Sequence, residues 1–350
     1  MKIDFSKIVF FETEDVEAKI LLDLYGDIDY DTVQQPLNAA NAGKYADAEI
    51  ISCFIYSDLS AEILAKLKKL KFIATRSRTF DHIDLEYCNK NGIAVANVPA
   101  YGADTVAEHV FSLLLALSRH IPQAAQRTRE GDFSLQGLQG FDLRGKTMGI
   151  IGTGAIGLRV GSIAKAFGMN VLGYDLNPRH LAAEAAGVSY ASLDNLLAES
   201  DVISLHVSGT PEARSLLSER EFSLMKKGVV IINTAVGTAI DVKALLKALS
   251  EGKVGGVGLD VLPDETGIHE EAEFLRDTFS VKHDTEALLA SHALLHHKNV
   301  IVTPHVAFYT RETVEGILRV TGDNIQSFIG GRHLNMINKP LPPSYERKAV

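Results

Sequence analysis

Cysteine and long apolar runs are both scarce in this sequence. Its 350 residues include two cysteines, Cys53 and Cys88, whose positions indicate neither a disulfide framework nor a cysteine-based metal site. The longest apolar run, 110–117, is far shorter than the ~20 residues that a membrane-spanning helix needs. The N-terminal residues carry early charges and no apolar core, so they do not resemble a secretory signal. We therefore expect a cytoplasmic protein with no membrane partner.

An excess of basic residues is also absent. The formal net charge is −9, which argues against a nucleic-acid partner because proteins that bind nucleic acids usually carry a basic face. A locally positive pocket can still hold a small anion within an acidic protein. The length exceeds what one ordinary core supports, so two domains are expected.

What the sequence does contain is an alternation of short β-branched runs with helical patterns, typical of parallel sheets joined by crossover helices. In the first part the predicted elements are Ile8–Phe11, Asp15–Leu24, Ile50–Ile55, Ser60–Leu70, Phe72–Thr75, Asp84–Asn89, Ile93–Ala96 and Thr105–Ser118. Strands and helices alternate throughout this list, which begins with a strand, and Asp104 is the predicted N-cap of the final helix. The pattern predicts an α/β fold.

A second alternating series begins at residue 146. Its predicted strands are Thr147–Ile151, Asn170–Tyr174, Val202–His206, Val229–Asn233, Gly256–Asp260 and Val300–Thr303. Its predicted helices are Ala155–Phe167, Ser192–Ala198, Ser218–Lys226 and Val242–Ser250. Six strands in this order match the two mononucleotide halves of a dinucleotide-binding fold.

A glycine-rich segment, Gly152-Thr153-Gly154-Ala155-Ile156-Gly157, follows the first strand of this series and opens its first helix. Gly152 allows a tight turn, Gly154 lets a pyrophosphate approach the backbone, and Gly157 lets the helix pack against the strand. The phosphates would then face the N–H groups and the positive end of that helix. The segment predicts a bound dinucleotide, and an ordinary strand–helix turn that contains three glycines is the alternative.

Asp175 ends the next predicted strand, about 18 residues beyond the motif. A carboxylate at this position accepts hydrogen bonds from the adenosine ribose hydroxyls and repels a 2′-phosphate, which favours NAD over NADP. Arg179 lies close in sequence and could soften that preference, although a solvated charge at the start of a helix is the simpler explanation.

Three further segments begin at the carboxyl ends of predicted strands, where ligands of such sheets bind. They are Asn233–Gly237, Gly258–Glu265 and Thr303–Ala307. A lone histidine is usually structural, but His305 follows a strand in a protein with an acidic residue at another strand end. Since a carboxylate can orient an imidazole for proton transfer, His305 is a candidate general acid/base.

Taken together, these segments resemble the D-isomer-specific 2-hydroxyacid dehydrogenase family over nearly the whole chain. The resemblance runs from Thr75–Ser77 and Phe80–Asp84 to Pro304–Tyr309. Within the family the sequence is most similar to the D-lactate dehydrogenase group, through Asn97–Tyr101, Ala107–His109 and the long segment after Glu265. The resemblance implies an NAD-dependent oxidoreductase that interconverts a 2-oxo acid and a D-2-hydroxy acid.

The resemblance also implies roles for single residues. His305 would give the carbonyl oxygen its proton during reduction and take it back during oxidation, with Glu265 as its acidic partner. Asp260 would hold the nicotinamide amide. The remaining residues that would line the cofactor are His206, Thr234 and Ala235.

The fold implied by the family has two doubly wound parallel-sheet domains. A smaller, flavodoxin-like substrate domain would comprise residues 1–102 and 306–350, and a Rossmann NAD-binding domain would comprise residues 103–305. The 2-oxo or 2-hydroxy acid would lie in the cleft between them, near Tyr101 and the loop Ser77–Thr79. The helix that begins at Thr105 would form part of a homodimer interface.

Two segments of the predicted substrate pocket depart from the family pattern. The family's Asn-x-x-Arg-Gly segment supplies an arginine to the substrate carboxylate, and here that position is Val236. The substrate loop usually carries an apolar residue followed by glycine, and here it reads Arg78-Thr79. An arginine–carboxylate fork is the natural recognition element for such a substrate. We hypothesise that Arg78 supplies the missing cation, and the alternative is a solvent-facing loop charge.

Two other functions therefore stay open beside the ordinary dehydrogenase. One is the same chemistry on a bulkier or differently charged substrate, and the other is a non-catalytic NAD(H)-binding sensor. The retained His305 and Glu265 favour an enzyme, whereas Val236 favours the sensor. A metal is not expected, because His292 and His296 lie four residues apart without a recognisable third ligand.

Overall fold

The computed structural model describes residues 7–26, 29–262 and 292–339. Within these ranges the chain folds into two compact units. The first unit comprises the described residues up to Gly102 and from Tyr309 onward, and the second comprises those from Ala103 to Phe308. The chain thus returns to the first unit after it has formed the second.

Strands and helices alternate along both units. The described strands are β1 (Ile8–Phe10), β2 (Tyr30–Thr32), β3 (Ile50–Cys53), β4 (Phe72–Thr75), β5 (Ala94–Ala96), β6 (Thr147–Ile151), β7 (Asn170–Tyr174), β8 (Ser189–Tyr190), β9 (Val202–Leu205), β10 (Val229–Asn233), β11 (Val254–Leu259) and β12 (Val300–Val302). The helices are α1 (Asp15–Tyr25), α2 (Ala61–Leu64), α3 (Leu85–Lys90), α4 (Ala103–Ser118), α5 (Ile121–Arg129), α6 (Ala155–Ala166), α7 (His180–Ala185), α8 (Leu193–Glu199), α9 (Glu219–Leu224), α10 (Val242–Ser250) and α11 (Arg311–Ile329).

The first unit is built on a parallel sheet with the strand order β2-β1-β3-β4-β5. This is the flavodoxin-like order, so the predicted fold of the smaller domain is confirmed. Strands β3 and β4 are buried along their whole length, which explains their continuous apolar runs. Helix α11 packs on α1 and β4, and its Phe328 ring stacks on Phe72 with the ring centroids 4.3 Å apart.

Two elements of the first unit differ from the prediction. The helix predicted over Ser60–Leu70 ends at Leu64, because the N–H groups of Leu67 and Leu70 bond to carbonyls three residues earlier. This tighter winding brings leucines spaced by three into the core. The sequence does not reveal β2, because this edge strand is half-buried or exposed and contains no apolar run.

The second unit is built on a parallel sheet with the strand order β12-β11-β10-β9-β6-β7-β8. The chain runs to one side from β6 and then to the other side from β9, so these two neighbours mark the point where the strand order reverses. Ligands of this fold bind beyond the carboxyl ends of the strands at that point. The six predicted strands are confirmed, and the two-residue edge strand β8 adds a seventh within the described part.

Helix α4 is the longest helix of the second unit within the described ranges, and it packs on α6, β10 and β11. Gly258 of β11 allows the close approach, since a side chain there would lie 3.0 Å from the Cβ atom of Leu113. The prediction that Asp104 caps this helix is wrong: α4 begins at Ala103, and the Asp104 carboxylate pairs with Arg159. Among the described residues we find no helix with the length and apolarity to cross a membrane.

Candidate active site

Two glycines let the turn between β6 and α6 pack tightly. Gly152 has a backbone φ of +94°, in the left-handed region that favours glycine. A side chain at Gly152 would collide with the carbonyl group of His206, and one at Gly157 would collide with the carbonyl group of Gly152. Both positions therefore require glycine for the turn and the start of the helix to form.

Gly154 has a different environment. A Cβ atom built on Gly154 meets no described atom within 4 Å, so the backbone there is open to a ligand. Helix α6 begins at Ala155 with Gly154 as its N-cap, and no side chain of the described residues caps it. First-turn N–H groups and the positive end of a helix dipole suit an anion. The turn thus fits the pyrophosphate of a dinucleotide.

Asp175 follows β7 and is tied to the same turn. One carboxylate oxygen accepts hydrogen bonds from the Thr153 N–H at 2.6 Å and from Thr153 Oγ1 at 3.2 Å. The other oxygen accepts a hydrogen bond from the Asn177 N–H at 2.8 Å. A carboxylate has about four acceptor positions, so Asp175 keeps capacity for a ribose hydroxyl.

Tyr190 of β8 belongs to this network, although no sequence motif marks it. Its hydroxyl lies 2.6 Å from Thr153 Oγ1 and accepts a hydrogen bond from the Arg179 N–H at 2.9 Å. Because Thr153 Oγ1 donates to Asp175, the Tyr190 hydroxyl must donate to Thr153. A chain of donors therefore runs from the Arg179 backbone through Tyr190 and Thr153 to the carboxylate of Asp175.

His206 and Thr234 follow the central strands β9 and β10. Burial lowers the pKa of His206 to about 3, so its ring is neutral near pH 7, and its Nε2 lies 2.8 Å from Ser204 Oγ. Thr234 Oγ1 is buried and has no hydrogen-bond partner among the described residues. A buried hydroxyl without a partner is unusual, and a polar atom of a ligand would satisfy it. The neighbouring Ala235 N–H is occupied, since it donates to Asn233 Oδ1 at 3.0 Å.

His305 follows β12 with a backbone φ of +53°, a left-handed conformation that is uncommon for residues other than glycine. The residue is half-buried, and its N–H donates to the carbonyl groups of Asp260 and Thr303 at 3.1 and 3.0 Å. Backbone strain of this kind is concentrated at functional sites, where surrounding structure must hold it in place.

The carboxylate of Asp260 holds the loop that carries His305. It is 1% exposed and accepts hydrogen bonds from the N–H groups of Val306 at 3.0 Å and Ala307 at 2.8 Å. Burial raises the pKa of Asp260, but hydrogen bonds from His109, Thr303 and the two backbone N–H groups outweigh it and leave the pKa below its usual value. The predicted contact of Asp260 with a nicotinamide amide stays a prediction.

Some predicted features fall outside the described residues or remain apart from the site. Glu265 and the segment after it belong to the range 263–291, which the structure does not describe. Val236 is half-buried and packs against the hydrophobic core of the second unit. Its side chain therefore offers no charge at the end of β10.

In the first unit, the structure brings Arg78 and Tyr101 together. Arg78 is exposed, and its carbonyl group accepts a hydrogen bond from Asn97 Nδ2 at 2.9 Å. Burial raises the pKa of Tyr101, and both the backbone and the charge of Arg78 act in the opposite direction. Thr79, also exposed, accepts a hydrogen bond from Ser77 Oγ through its carbonyl group. Arg78 forms no ion pair with any residue in the described ranges, so its charge is available.

Arg76, two residues earlier, has a different role. It is 1% exposed, and its guanidinium donates to the carbonyl groups of Phe11 at 2.8 Å and Glu12 at 2.6 Å. It also contacts Ser52 Oγ at 3.3 Å. All these partners belong to the first unit, so Arg76 stabilises the edge of that sheet.

Comparison with known proteins identifies close similarities along the whole chain. A family model for the NAD-binding domain of D-isomer specific 2-hydroxyacid dehydrogenases matches residues 111–307. The D-lactate dehydrogenase of Escherichia coli is 41% identical over 286 residues, which cover 81% of this chain and 84% of that protein. A 2-hydroxyacid dehydrogenase homolog of Haemophilus influenzae is 38% identical over 332 residues, which cover 93% of this chain and 97% of that protein.

Solved structures show the same similarity. The D-lactate dehydrogenase of Aquifex aeolicus, crystallised with NAD and lactic acid, aligns with a TM-score of 0.83 at 36% identity. The alignment covers 95% of this chain and 100% of that one. The D-lactate dehydrogenase of Escherichia coli without ligands also aligns with a TM-score of 0.83, at 35% identity.

Proposed function

Because the chain belongs to the D-isomer-specific 2-hydroxyacid dehydrogenase family, with NAD as its cofactor, we propose that it interconverts a 2-oxo acid and a D-2-hydroxy acid with His305 as the general acid/base. The observation that carries this proposal is the strained backbone of His305, after β12, whose loop is held by the buried carboxylate of Asp260, after β11. A residue held in this way is pre-organised for one task.

Different residues of the second unit serve cofactor binding and proton transfer. The uncapped start of α6 would bind the pyrophosphate, and Asp175, which already bonds to Thr153, would accept hydrogen bonds from the adenosine ribose. The bound dinucleotide supplies the hydride to C2 of the oxo acid. His305 gives the carbonyl oxygen its proton in reduction and takes it back in oxidation. We also assign Glu265 as the partner of the His305 imidazole, on the family resemblance alone.

We further propose that Arg78 binds the substrate carboxylate from the first unit, with Tyr101 beside it. The support is that Arg78 is exposed and forms no ion pair with a described residue, while the family's usual arginine is Val236 here. A charge-assisted hydrogen bond of this type contributes about 1.5–3 kcal/mol. Since the new cation lies on a different loop, the preferred 2-oxo acid should differ from the family's usual substrates in size or charge.

The first experiment follows NADH oxidation with a panel of 2-oxo acids that vary in size and charge. We expect turnover of at least one acid, and we expect His305→Ala to lower kcat by about 10²–10⁴-fold because a general acid contributes roughly that factor. NADH binding, measured by fluorescence titration, should persist in the variant. His120→Gln, a change in the turn between α4 and α5 outside the proposed site, serves as the matched control.

Two outcomes would contradict this assignment. Undiminished turnover in His305→Ala would remove His305 from the mechanism. Tight NADH binding without turnover across the whole panel would favour the alternative function, a non-catalytic NAD(H) sensor, for which the loss of the family's arginine at Val236 is the supporting observation.

The second experiment tests the substrate-binding cation. We expect Arg78→Ala to raise the KM for the best 2-oxo acid by about tenfold or more while the affinity for NADH stays the same. The matched control is Arg332→Ala, because Arg332 is an exposed arginine of the same unit. If KM and kcat are unchanged in Arg78→Ala, Arg78 is a solvent-facing loop charge.

We also propose that the protein is cytoplasmic and, as the family resemblance predicts, a homodimer. Its support in the second unit is a set of large apolar side chains that are more than half exposed after α4: Ile121 at 55%, Phe133 at 78% and Leu135 at 84%. Such patches mark interaction sites on otherwise polar surfaces. Light scattering after size-exclusion chromatography measures the mass directly, and a monomer at micromolar concentration would refute the dimer.

A further inference from the structure

A histidine with no role in the proposed reaction contacts Asp260, the residue that holds the loop of His305. His109, on the long helix α4, is largely buried with 19% of its side chain exposed. Its Nε2 atom lies 3.1 Å from Thr303 Oγ1 and 3.4 Å from Asp260 Oδ1. These three side chains come from α4, from the end of β11 and from the residue after β12, all within the second unit.

The hydrogen-bond directions in this cluster are determined by its acceptors. Asp260 is ionised, so the Thr303 hydroxyl at 2.5 Å must donate to its Oδ1 atom. The oxygen of Thr303 is then left to accept, and the group facing it is His109 Nε2. His109 therefore carries a hydrogen on Nε2 and donates toward both Thr303 and Asp260. Two side-chain donors therefore meet the Oδ1 atom of Asp260.

The same carboxylate also bonds to the loop, through Oδ1 to Val306 and through Oδ2 to Ala307. The N–H groups of Val306 and Ala307 donate to Asp260, immediately after the left-handed His305. A left-handed backbone at a residue with a side chain is strained and persists only where the surroundings hold it. If the Asp260 carboxylate rotated, both loop hydrogen bonds would weaken and His305 could relax to an ordinary backbone conformation.

We propose that His109 is a positioning residue that fixes the Asp260 carboxylate and thereby holds His305 in its left-handed conformation. The inference rests on the proposed role of His305 in the reaction. Helix α4 suits this purpose because it packs on β10, β11 and β12 and so gives His109 a rigid base. His109 contacts Thr303 and Asp260, and it acts on the reaction only through Asp260.

The test compares two substitutions at one position. His109→Gln places an amide N–H near the site of Nε2, whereas His109→Leu removes the donor and keeps an apolar side chain. We expect His109→Leu to lower kcat by about tenfold or more with the KM for NADH changed less than about twofold, because a small misplacement of a reacting group has effects of this size or larger. His109→Gln should recover most of the loss, and His120→Gln is the matched control.

A second measurement does not depend on turnover. Amide hydrogen exchange at Val306 and Ala307, which donate to Asp260, should become at least about tenfold faster in His109→Leu and should stay near the wild-type rate in His109→Gln. If the leucine variant does not fold, His109→Asn takes its place, since its amide is too short to reach Asp260. These exchange rates test the role of His109 even if the protein turns over no 2-oxo acid. The absence of turnover would refute the proposed function, but it would not decide whether His109 positions the loop.

The contrary results are equally definite. Wild-type kcat and exchange in His109→Leu would show that Asp260 holds the loop without His109. Equal losses in His109→Leu and His109→Gln would show that the imidazole matters for packing and that its donated hydrogen bond does not position the loop.

Discussion

Each of the two sheets has a buried charged residue at its carboxyl edge, and the two charges have opposite signs. Arg76 follows β4 in the first unit, Asp260 follows β11 in the second, and each is 1% exposed. Each charge bonds to a loop in which a residue other than glycine has a φ of +53°, namely Glu12 and His305. The same physical device thus stabilises a strained loop in both units.

The two charges differ in sign because the two loops direct different backbone groups toward them. The loop at Glu12 presents carbonyl groups, which need a cation, and β3 lies between β4 and β1, so a long side chain must span the gap. The loop at His305 presents N–H groups, which need an anion, and β11 and β12 are neighbours, so a short aspartate reaches it. The orientation of the backbone therefore sets the sign of the charge, and the distance sets the length of the side chain.

The largest expected effect comes from neutralising the anion. Asp260→Asn would turn an amide N–H toward backbone donors, and each lost charge-assisted hydrogen bond costs about 1.5–3 kcal/mol. We expect kcat to fall by about 100-fold, measured with the best 2-oxo acid. Asp194→Asn, at an exposed acid of the same unit, is the control. A kcat within about twofold of wild type would mean that the loop holds His305 without the charge.

Removing the cation should act on stability. Arg76→Leu leaves two inward carbonyl groups without their donor, so we expect the free energy of unfolding of the first unit to fall by about 3 kcal/mol in urea titrations. Arg76→Lys should lie in between because an ammonium cannot form the same fork. NADH affinity should not change, and Arg332→Ala gives the baseline for losing an exposed arginine. If the free energy of NADH binding weakened by as much as the free energy of unfolding, the stability of the first unit would be coupled to cofactor binding in the second.

His206, which is buried and neutral, should make the stability of the protein depend on pH independently of Arg76 and Asp260. The pKa of His206 falls from 6.5 to about 3 on folding, so the unfolded chain binds an extra proton between these values. Stability should therefore decrease as the pH falls from about 6.5 toward 3, by no more than about 5 kcal/mol for this group. Urea midpoints at pH 7 and pH 5 should differ less in His206→Gln than in wild type or His120→Gln. An unchanged pH dependence would contradict the neutral, buried state of His206.

The smallest expected effect concerns the glycine-rich turn, where a hydrogen bond between two neutral hydroxyls, those of Tyr190 and Thr153, supports the contact of Thr153 with Asp175. Tyr190→Phe removes the hydroxyl that links the Arg179 N–H to Thr153. We expect the Kd for NADH to rise by about fivefold with little change in kcat, since a neutral hydrogen bond contributes about 1 kcal/mol. Tyr174→Phe, at the end of β7, is the control. A change in kcat with no change in Kd would place Tyr190 outside cofactor binding.

Much of the fold could be predicted because its signals are local. Three strands have the predicted bounds, because each is a short run of mostly apolar residues in a parallel sheet, and two of the three are almost wholly buried. They are Thr147–Ile151, Asn170–Tyr174 and Val229–Asn233. The glycine motif could also be recognised in the sequence, because a positive φ or close packing allows only glycine at its key positions. Sequence reasoning failed where packing overrides periodicity, as in the helix that ends at Leu64.

The candidate site was predictable only in part, for the same reason. His305 and Asp175 stand at strand ends and could be named, but their roles in the site stay predictions. Tyr190 carries no motif, and the segment Ala107–His109 indicated the family but no role for His109, because the partners of these residues lie 37 and 194 residues away in the sequence. Only residues that meet in the folded chain could reveal them.

The sequence by itself determined the α/β class, the two parallel sheets and the cofactor-binding turn. Hydrophobic periodicity and the conformational freedom of glycine act over a few residues and need no knowledge of distant partners. Only the tertiary structure decided that Arg76 holds the loop at Glu12 and that Asp260 holds the loop at His305, because these contacts join residues 64 and 46 positions apart. A buried charge is stabilised by groups that converge on it in space, and their convergence is a property of the packed sheets.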